Sequence, residues 1–124
     1  MARQADLTYA RDPLVRQFKR TWLPRIVRAF RPSEVWLFGS RVRGDALLDS
    51  DLDIVVVSDA FAGVPWPNRT TRVLLAARAA APLEILCYTP AEFRDKRTEF
   101  GIVQAAVEEG RRVHPSRRRS TGKS

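Results

Sequence analysis

The stretch from Val35 to Val57, VWLFGSRVRGDALLDSDLDIVVV, constrains the fold more than any other part of the chain. Val35 to Phe38 is apolar, β-branched and aromatic, which suits a buried strand, and Gly39-Ser40 interrupts it as a turn does. Ile54 to Val57 is a β-branched run with no polar alternation, the pattern of a strand covered on both faces. Between the two strands lies a short helix or loop that ends in Asp51-Leu52-Asp53. Side chains alternate along a strand, so Asp51 and Asp53 are expected on one face at the mouth of the sheet. Carboxylates that close repel each other unless a cation or a shared proton neutralises them. With a single histidine and a single cysteine in the chain, the natural partner is a hard, oxygen-seeking ion such as Mg²⁺.

The Gly39-Ser40 turn complements that pair. Glycine lets backbone N–H groups approach a ligand closely, and Ser40 can donate a hydroxyl hydrogen bond at the start of a short helix. Arg41 and Arg43 add positive charge to the same segment. Donors to phosphate beside a metal-holding acid pair describe a site for a metal-bound nucleoside triphosphate.

Gly39-Ser40, ten intervening residues and Asp51-x-Asp53 together resemble the signature of the minimal nucleotidyltransferases, small relatives of the DNA polymerase β superfamily. Arg41, Gly44 and Ser50 are similar to residues common in that family, and the resemblance covers residues 33 to 58 closely and the order of elements from about 13 to 114. It implies an α/β (α+β) fold, a small mixed sheet flanked by helices in the manner of a polymerase β-like palm. It also implies transfer of a nucleotidyl group to a hydroxyl, with release of pyrophosphate.

Rival readings of the same residues fail on particular positions. Asp49, Asp51 and Asp53 imitate the first ligands of a calcium-binding EF-hand loop, but its sixth position would be Ile54 instead of Gly and its twelfth Ala60 instead of Glu. A phosphate-binding P-loop needs Gly-Lys-Ser/Thr, and no Lys lies near Gly39. A solvated acidic turn leading into a core strand would account for Asp51-Leu52-Asp53 alone, though not for Gly39-Ser40 at this spacing.

The rest of the chain supplies a frame. Its 124 residues allow one domain with a modest core. No apolar run approaches the length of a transmembrane helix, and Met1 to Ala10 lacks the apolar core of a signal peptide. Cys87, in an apolar strand-like run, is expected to be an inert core thiol in a reducing cytosol, so a cytoplasmic protein without membrane association is expected. The formal charge of +8 is unevenly placed: residues 1–110 hold 16 Lys and Arg against all 14 Asp and Glu. The excess sits in residues 111–124, where PSRRRSTGKS is too poor in apolar residues to fold. The expected organisation is a flexible N-terminus over 1–11, a nucleotidyltransferase domain over 12–114 and a disordered basic tail over 115–124, which is a solvated end or a weak nucleic-acid contact.

Asp12 and Pro13 open the first expected helix as N-cap and first-turn residue, and Leu14, Phe18, Trp22, Ile26 and Phe30 repeat along one face. Pro24 should kink or divide that helix near Leu23. A Gly- and Pro-rich loop containing Trp66 follows the second strand, then a helix over Arg69 to Ala81 with Arg69, Arg72 and Arg78 toward solvent. Leu83 to Tyr88 is the third strand. Its one charge, Glu84, needs a reason if buried, because an unpaired buried carboxylate costs several kcal/mol. Thr89-Pro90-Ala91-Glu92 is a capping box opening a short helix, and Glu99 to Glu109 is the last helix, ended by Gly110. Arg112-Val113-His114 adds a brief final strand, with His114 structural or exposed.

The family resemblance assigns roles. Asp51 and Asp53 are implied ligands of one or two Mg²⁺ ions, and Gly39, Ser40 and Arg41 are implied contacts to the phosphates of ATP. Glu84 looks like the family's third carboxylate, on a neighbouring strand, as metal ligand or as acceptor of the hydroxyl proton, although many relatives carry the shorter Asp there. With no second substrate-binding domain expected, the chain resembles the antitoxins of HEPN/MNT toxin–antitoxin systems. That implies a HEPN ribonuclease toxin as partner, neutralised by adenylylation of a tyrosine or by direct binding. Modification of a small molecule such as an aminoglycoside, or a non-catalytic module that masks its partner, are the alternatives. Oligomeric state leaves no mark in the sequence.

Overall fold

A computed structural model describes residues 4–47, 49–99 and 101–116. Four strands form one mixed sheet: β1 (Glu34–Phe38), β2 (Leu52–Val57), β3 (Leu83–Tyr88) and β4 (Arg111–His114), in spatial order β3-β2-β1-β4. β1 runs antiparallel to both β2 and β4, whereas β2 and β3 are parallel. The parallel pair needs a crossover, which the chain supplies with a 3₁₀ turn at Asp59–Phe61 and the helix α5 (Trp66–Ala77). The α/β architecture implied by the family resemblance, a small mixed sheet flanked by helices, is the one observed.

The helices ahead of β1 are α1 (Gln4–Arg11), α2 (Pro13–Gln17) and α3 (Leu23–Phe30). The expectation of a flexible N-terminus over 1–11 is corrected by α1, with Tyr9 buried against the core and Arg111 lying 4.4 Å from its ring centroid. Its large apolar residues, the exposed Leu7 and the buried Tyr9, are too few and too short in span to announce a helix by periodicity. Asp12 caps α2 as expected, accepting from the N–H groups of Leu14 and Val15 at 2.9 and 3.1 Å. The helix is divided near Leu23 as Pro24 requires, though the chain stays helical across the division. A π turn over Phe18–Trp22 joins α2 to α3, and Leu23 N donates back to Phe18 O. The added residue carries the chain past a proline that has no N–H to offer and whose ring would crowd the carbonyl four residues earlier.

The strands alternate cleanly. Val35, Leu37, Leu52, Ile54, Val56, Ile85 and Cys87 face one side, where Phe18, Trp22, Ile26, Phe61, Val73 and Ala77 cover them. Val55, Val57, Tyr88 and the partly buried Trp36, Phe38 and Leu86 face the other, under Phe93, Val103 and Ala106 of α6 (Pro90–Arg97) and α7 (Ile102–Glu109). Each fully buried side chain of this size contributes about 1.5–3 kcal/mol, so both faces are needed for a chain this short. α7 turns into β4 through Gly110, where a β-carbon would overlap Ala106 O and stand 2.6 Å from Leu37 O. Only glycine lets the helix end so close to β1.

α5 spans Trp66–Ala77, earlier than the expected Arg69 to Ala81, because Pro65 and Pro67 serve as a helix start instead of as loop breakers. Starting there turns Arg69 inward. It is buried and not on the solvent face: Nη1 and Nη2 reach Glu92 at 2.6 and 3.2 Å, and Nε donates to Val64 O at 2.9 Å. Glu92 in turn completes the expected capping box with Thr89. Of the expected basic tail, residues 117–124 lie outside the described residues. Among the described residues no helix is long and apolar enough to cross a membrane.

Candidate active site

β1 and β2 pair antiparallel so that Phe38 stands opposite Asp53, and β2 and β3 pair parallel so that Asp53 stands beside Glu84. Asp53 and Glu84 therefore leave the sheet from the same face, and Asp51, two residues before Asp53, lies on that side just outside β2. Asp53 and Glu84 stand side by side at this end of the sheet, with the charge of Asp51 near enough to act on Asp53. Asp53 is half-buried, whereas Asp51 and Glu84 are exposed. Glu84 is therefore a charged residue near the start of an edge strand, and no buried carboxylate has to be accounted for. As the second residue of a strand whose flank is open, it keeps its carboxylate in water, and its closeness to Asp53, not its burial, is what marks it.

Electrostatics report that closeness. Asp53 is pushed up from an ordinary 3.8 to about 6, first by burial, then by the charges of Glu84 and Asp51 and a hydrogen bond with Glu84, while Arg43 opposes the shift. Burial and two neighbouring carboxylates thus make the charged form of Asp53 costly unless a cation offsets it.

Gly39 closes the site from the β1 side. Its φ of +84° belongs to the left-handed region, and a β-carbon there would run into the Asp53 carboxylate. The chain then enters α4 (Ser40–Arg43), with Val42 N and Arg43 N both donating to Gly39 O. Gly44, at φ +87°, ends the turn. A cleft of about 330 Å³ opens here, lined by Phe38, Gly39, Ser40, Arg43, Asp53, Ala105 and Glu109. A larger cavity of about 740 Å³ lies between the α1–α2 corner and residues 44–47 and holds none of the three acids. Of the two, only the smaller cleft borders Asp53.

Arg41 is not in that cleft, contrary to its expected place at the phosphates. Its side chain is buried and bonds Asp12 and the carbonyl of Ser50. In a helix this short, residues two apart point to different sides, so Arg43 faces the acids and Arg41 faces the core. Glu109 and Ala105, brought in by α7, had no signal in the sequence at all. They reach the cleft only because Val103 and Ala106 dock that helix on the sheet.

The donor set suits a hard cation. Among the described residues no three acidic, His or Cys side chains are already gathered as a metal site. Mg²⁺, however, is held by one or two carboxylates with substrate phosphates and water completing its shell, and needs no all-protein cage. Asp51, Asp53 and Glu84 fit that requirement, and a cation would offset the repulsion between their charges.

Comparisons with known proteins bear on the family and the fold. A model of the nucleotidyltransferase domain family matches residues 20–115. A candidate nucleotidyltransferase from Sulfolobus solfataricus has a similar solved structure, with 24% identity, 77% of this chain and 82% of that one covered, and a TM-score of 0.56. A second candidate nucleotidyltransferase is similar at 23% identity over 73% of this chain and 91% of that one, with a TM-score of 0.48. No curated protein matches the chain. The first likeness is one of fold, and the family match spans β1 to β4 with the whole Gly39–Asp53 unit inside it. The chain belongs to the nucleotidyltransferase domain family.

Proposed function

We propose that the protein is a Mg²⁺-dependent nucleotidyltransferase that moves AMP from ATP to a hydroxyl, the acceptor being a tyrosine of a HEPN-family toxin that the protein neutralises as antitoxin. The observation that carries the transferase reading is the pairing of Asp53 with Glu84 directly against the Gly39 turn, where burial first and then the neighbouring carboxylates raise Asp53 to about 6. A cluster of like charges beside a cleft with donors is an arrangement that phosphoryl chemistry uses and folding alone does not require.

In this reading Ser40 and Arg43, which line the cleft, bind the outer phosphates. Asp51 and Asp53 would hold Mg²⁺, which when bound would offset charge on the transferring phosphate. Glu84 accepts the proton of the attacking hydroxyl at its carboxylate, exposed at the mouth where an acceptor can reach it. The hydroxyl oxygen bonds to the α phosphorus, the bond from that phosphorus to the bridging oxygen breaks, and pyrophosphate leaves. The acceptor and antitoxin role rest on the family resemblance of Gly39-Ser40 and Asp51-x-Asp53.

The test is incubation with Mg²⁺, the candidate partner protein and ATP labelled at the α or the γ phosphate, with Asp53→Asn as control. Label passing to the partner from the α position only, and lost in the variant, is the expected result. Absence of any labelling alongside co-purification of the partner would replace this reading with that of a non-catalytic masking protein.

A further inference from the structure

We propose that Asp12 and Arg41 are positioning residues for the acidic site, forming a buried strut that fixes the peptide leading into Asp51; the consequence for catalysis rests on the transferase reading above. Arg41 Nη1 donates to both carboxylate oxygens of Asp12, at 3.0 and 2.8 Å. Its Nε donates to Ser50 O at 2.9 Å. Both side chains are only 8% exposed. One guanidinium thus ties the N-cap of α2 to the carbonyl of the peptide that carries the Asp51 nitrogen.

That anchor matters because the other bonds of this segment at Ser50, Ser50 N to Leu47 O and Leu47 N to Ser50 Oγ, close a local turn and do not tie it to the rest of the fold. Residues 44–47 and 49–51 belong to neither helix nor strand, and Asp51 precedes the first residue of the β2 ladder. On its C-terminal side Leu52 N is bonded to Pro82 O at 2.9 Å. On its N-terminal side the Ser50 carbonyl is held by Arg41. Asp51 stands between these two fixed points, so its distance from Asp53 depends on both.

Stability alone is a poor account of the pair. Burying two charges carries a desolvation penalty that their attraction often only offsets, and apolar residues of similar volume do as well. Capping needs only a short side-chain acceptor, which Ser or Asn supplies equally. A planar guanidinium that binds a carboxylate through one nitrogen and a carbonyl through another supplies direction, which an apolar pair lacks.

Three variants separate these roles. Asp12→Asn keeps the cap and an acceptor for Arg41. Asp12→Ser keeps the cap and is too short to reach Arg41. Arg41→Lys keeps the charge opposite Asp12, but one ammonium cannot also hold the Ser50 carbonyl in the same geometry. Amide hydrogen exchange is read without metal or nucleotide, and kcat and KM for ATP are read in the labelling assay. In Asp12→Ser and Arg41→Lys, exchange at Leu52 should quicken about tenfold while Val55 to Val57 stay protected. Transfer should fall roughly ten- to a hundredfold in kcat, with KM for ATP little changed, and Asp12→Asn should stay near wild type in both. Unchanged exchange at Leu52, or a uniform loss of protection across the sheet, overturns the proposal. Should the wild type transfer nothing, the transferase reading fails by itself, and the exchange data still decide whether the strut holds Asp51. If Asp12→Ser does not fold, the contrast between Arg41→Lys and Asp12→Asn decides it.

Discussion

Gly39 and Asp53 are in backbone-to-carboxylate contact: a β-carbon added to Gly39 would overlap an Asp53 oxygen and stand 3.1 Å from its Cγ. The antiparallel pairing of β1 with β2 puts Phe38 opposite Asp53, so the next residue must turn away directly over the acid. Glycine is required there for space and for its φ of +84°. The spacing of the motif is therefore set by the geometry of a two-stranded ladder.

Gly39→Ala should destabilise the fold by about 1–3 kcal/mol, the cost of a side chain in a disfavoured backbone region, and should displace Asp53. Urea denaturation gives the first number, and the labelling assay should show transfer reduced to background. A variant with wild-type stability and activity would mean that the turn has a different shape from the one described.

Asp53 makes stability depend on pH in a defined direction. Its pKa is 3.8 ordinarily and about 6 in the fold, so between those values the folded state binds more protons than the unfolded one. Metal-free protein should lose stability as pH rises from about 4 to about 6, a loss softened because Asp53 is partly in water. Asp53→Asn should flatten that slope and leave the fold intact. Mg²⁺ should raise the urea midpoint at pH 7.5 in the wild type more than in the variant. Glu92 works in the opposite sense, held below its ordinary 4.5 chiefly by Arg69, so its contribution is lost only as pH falls under that range.

Arg69→Ala should remove about 2 kcal/mol or more of stability, because Val64 O, Cys87 O and the Glu92 carboxylate all lose a donor. Glu92→Gln should cost less, roughly 1 kcal/mol, since glutamine still serves the capping box at Thr89. Equal losses in the two variants, measured by thermal or urea unfolding, would show that the ion pair is the whole contribution of Arg69.

Cys87 is free, 1% exposed and pushed up to about 12 by burial. Thiolate is the reactive form, so a thiol reagent at pH 8 should modify Cys87 only at the rate of unfolding. Rapid labelling in native buffer would contradict its place under α5. The rate in Gly39→Ala should rise in step with its lost stability.

Much of the fold was legible because it is encoded locally. β1, β2 and β3 are short apolar runs with turn signals at their ends, and the Asp12 cap and the Thr89–Glu92 box are each complete within a few residues. The Gly39, Ser40, Asp51 and Asp53 unit belongs to the same class, since one hairpin-like pairing brings its parts together. Glu84 was found through its place in the order of strands, but its exposure was not, because burial depends on where α6 and α7 stop covering the sheet.

What the sequence by itself determined is the strand and cap chemistry and the identity of the acids, which depend on neighbours along the chain. What only the tertiary structure decided is the direction of the arginines and the makeup of the cleft. Arg41 and Arg43 are two residues apart and look equivalent in sequence, yet one is buried against Asp12 and the other lines the cleft with Asp53. Arg69 looked like a solvent-facing charge until α5 began at Trp66 and turned it toward Glu92. A long cation has no local preference strong enough to fix its aim; its partner comes from a distant part of the chain, and burial makes that pairing obligatory.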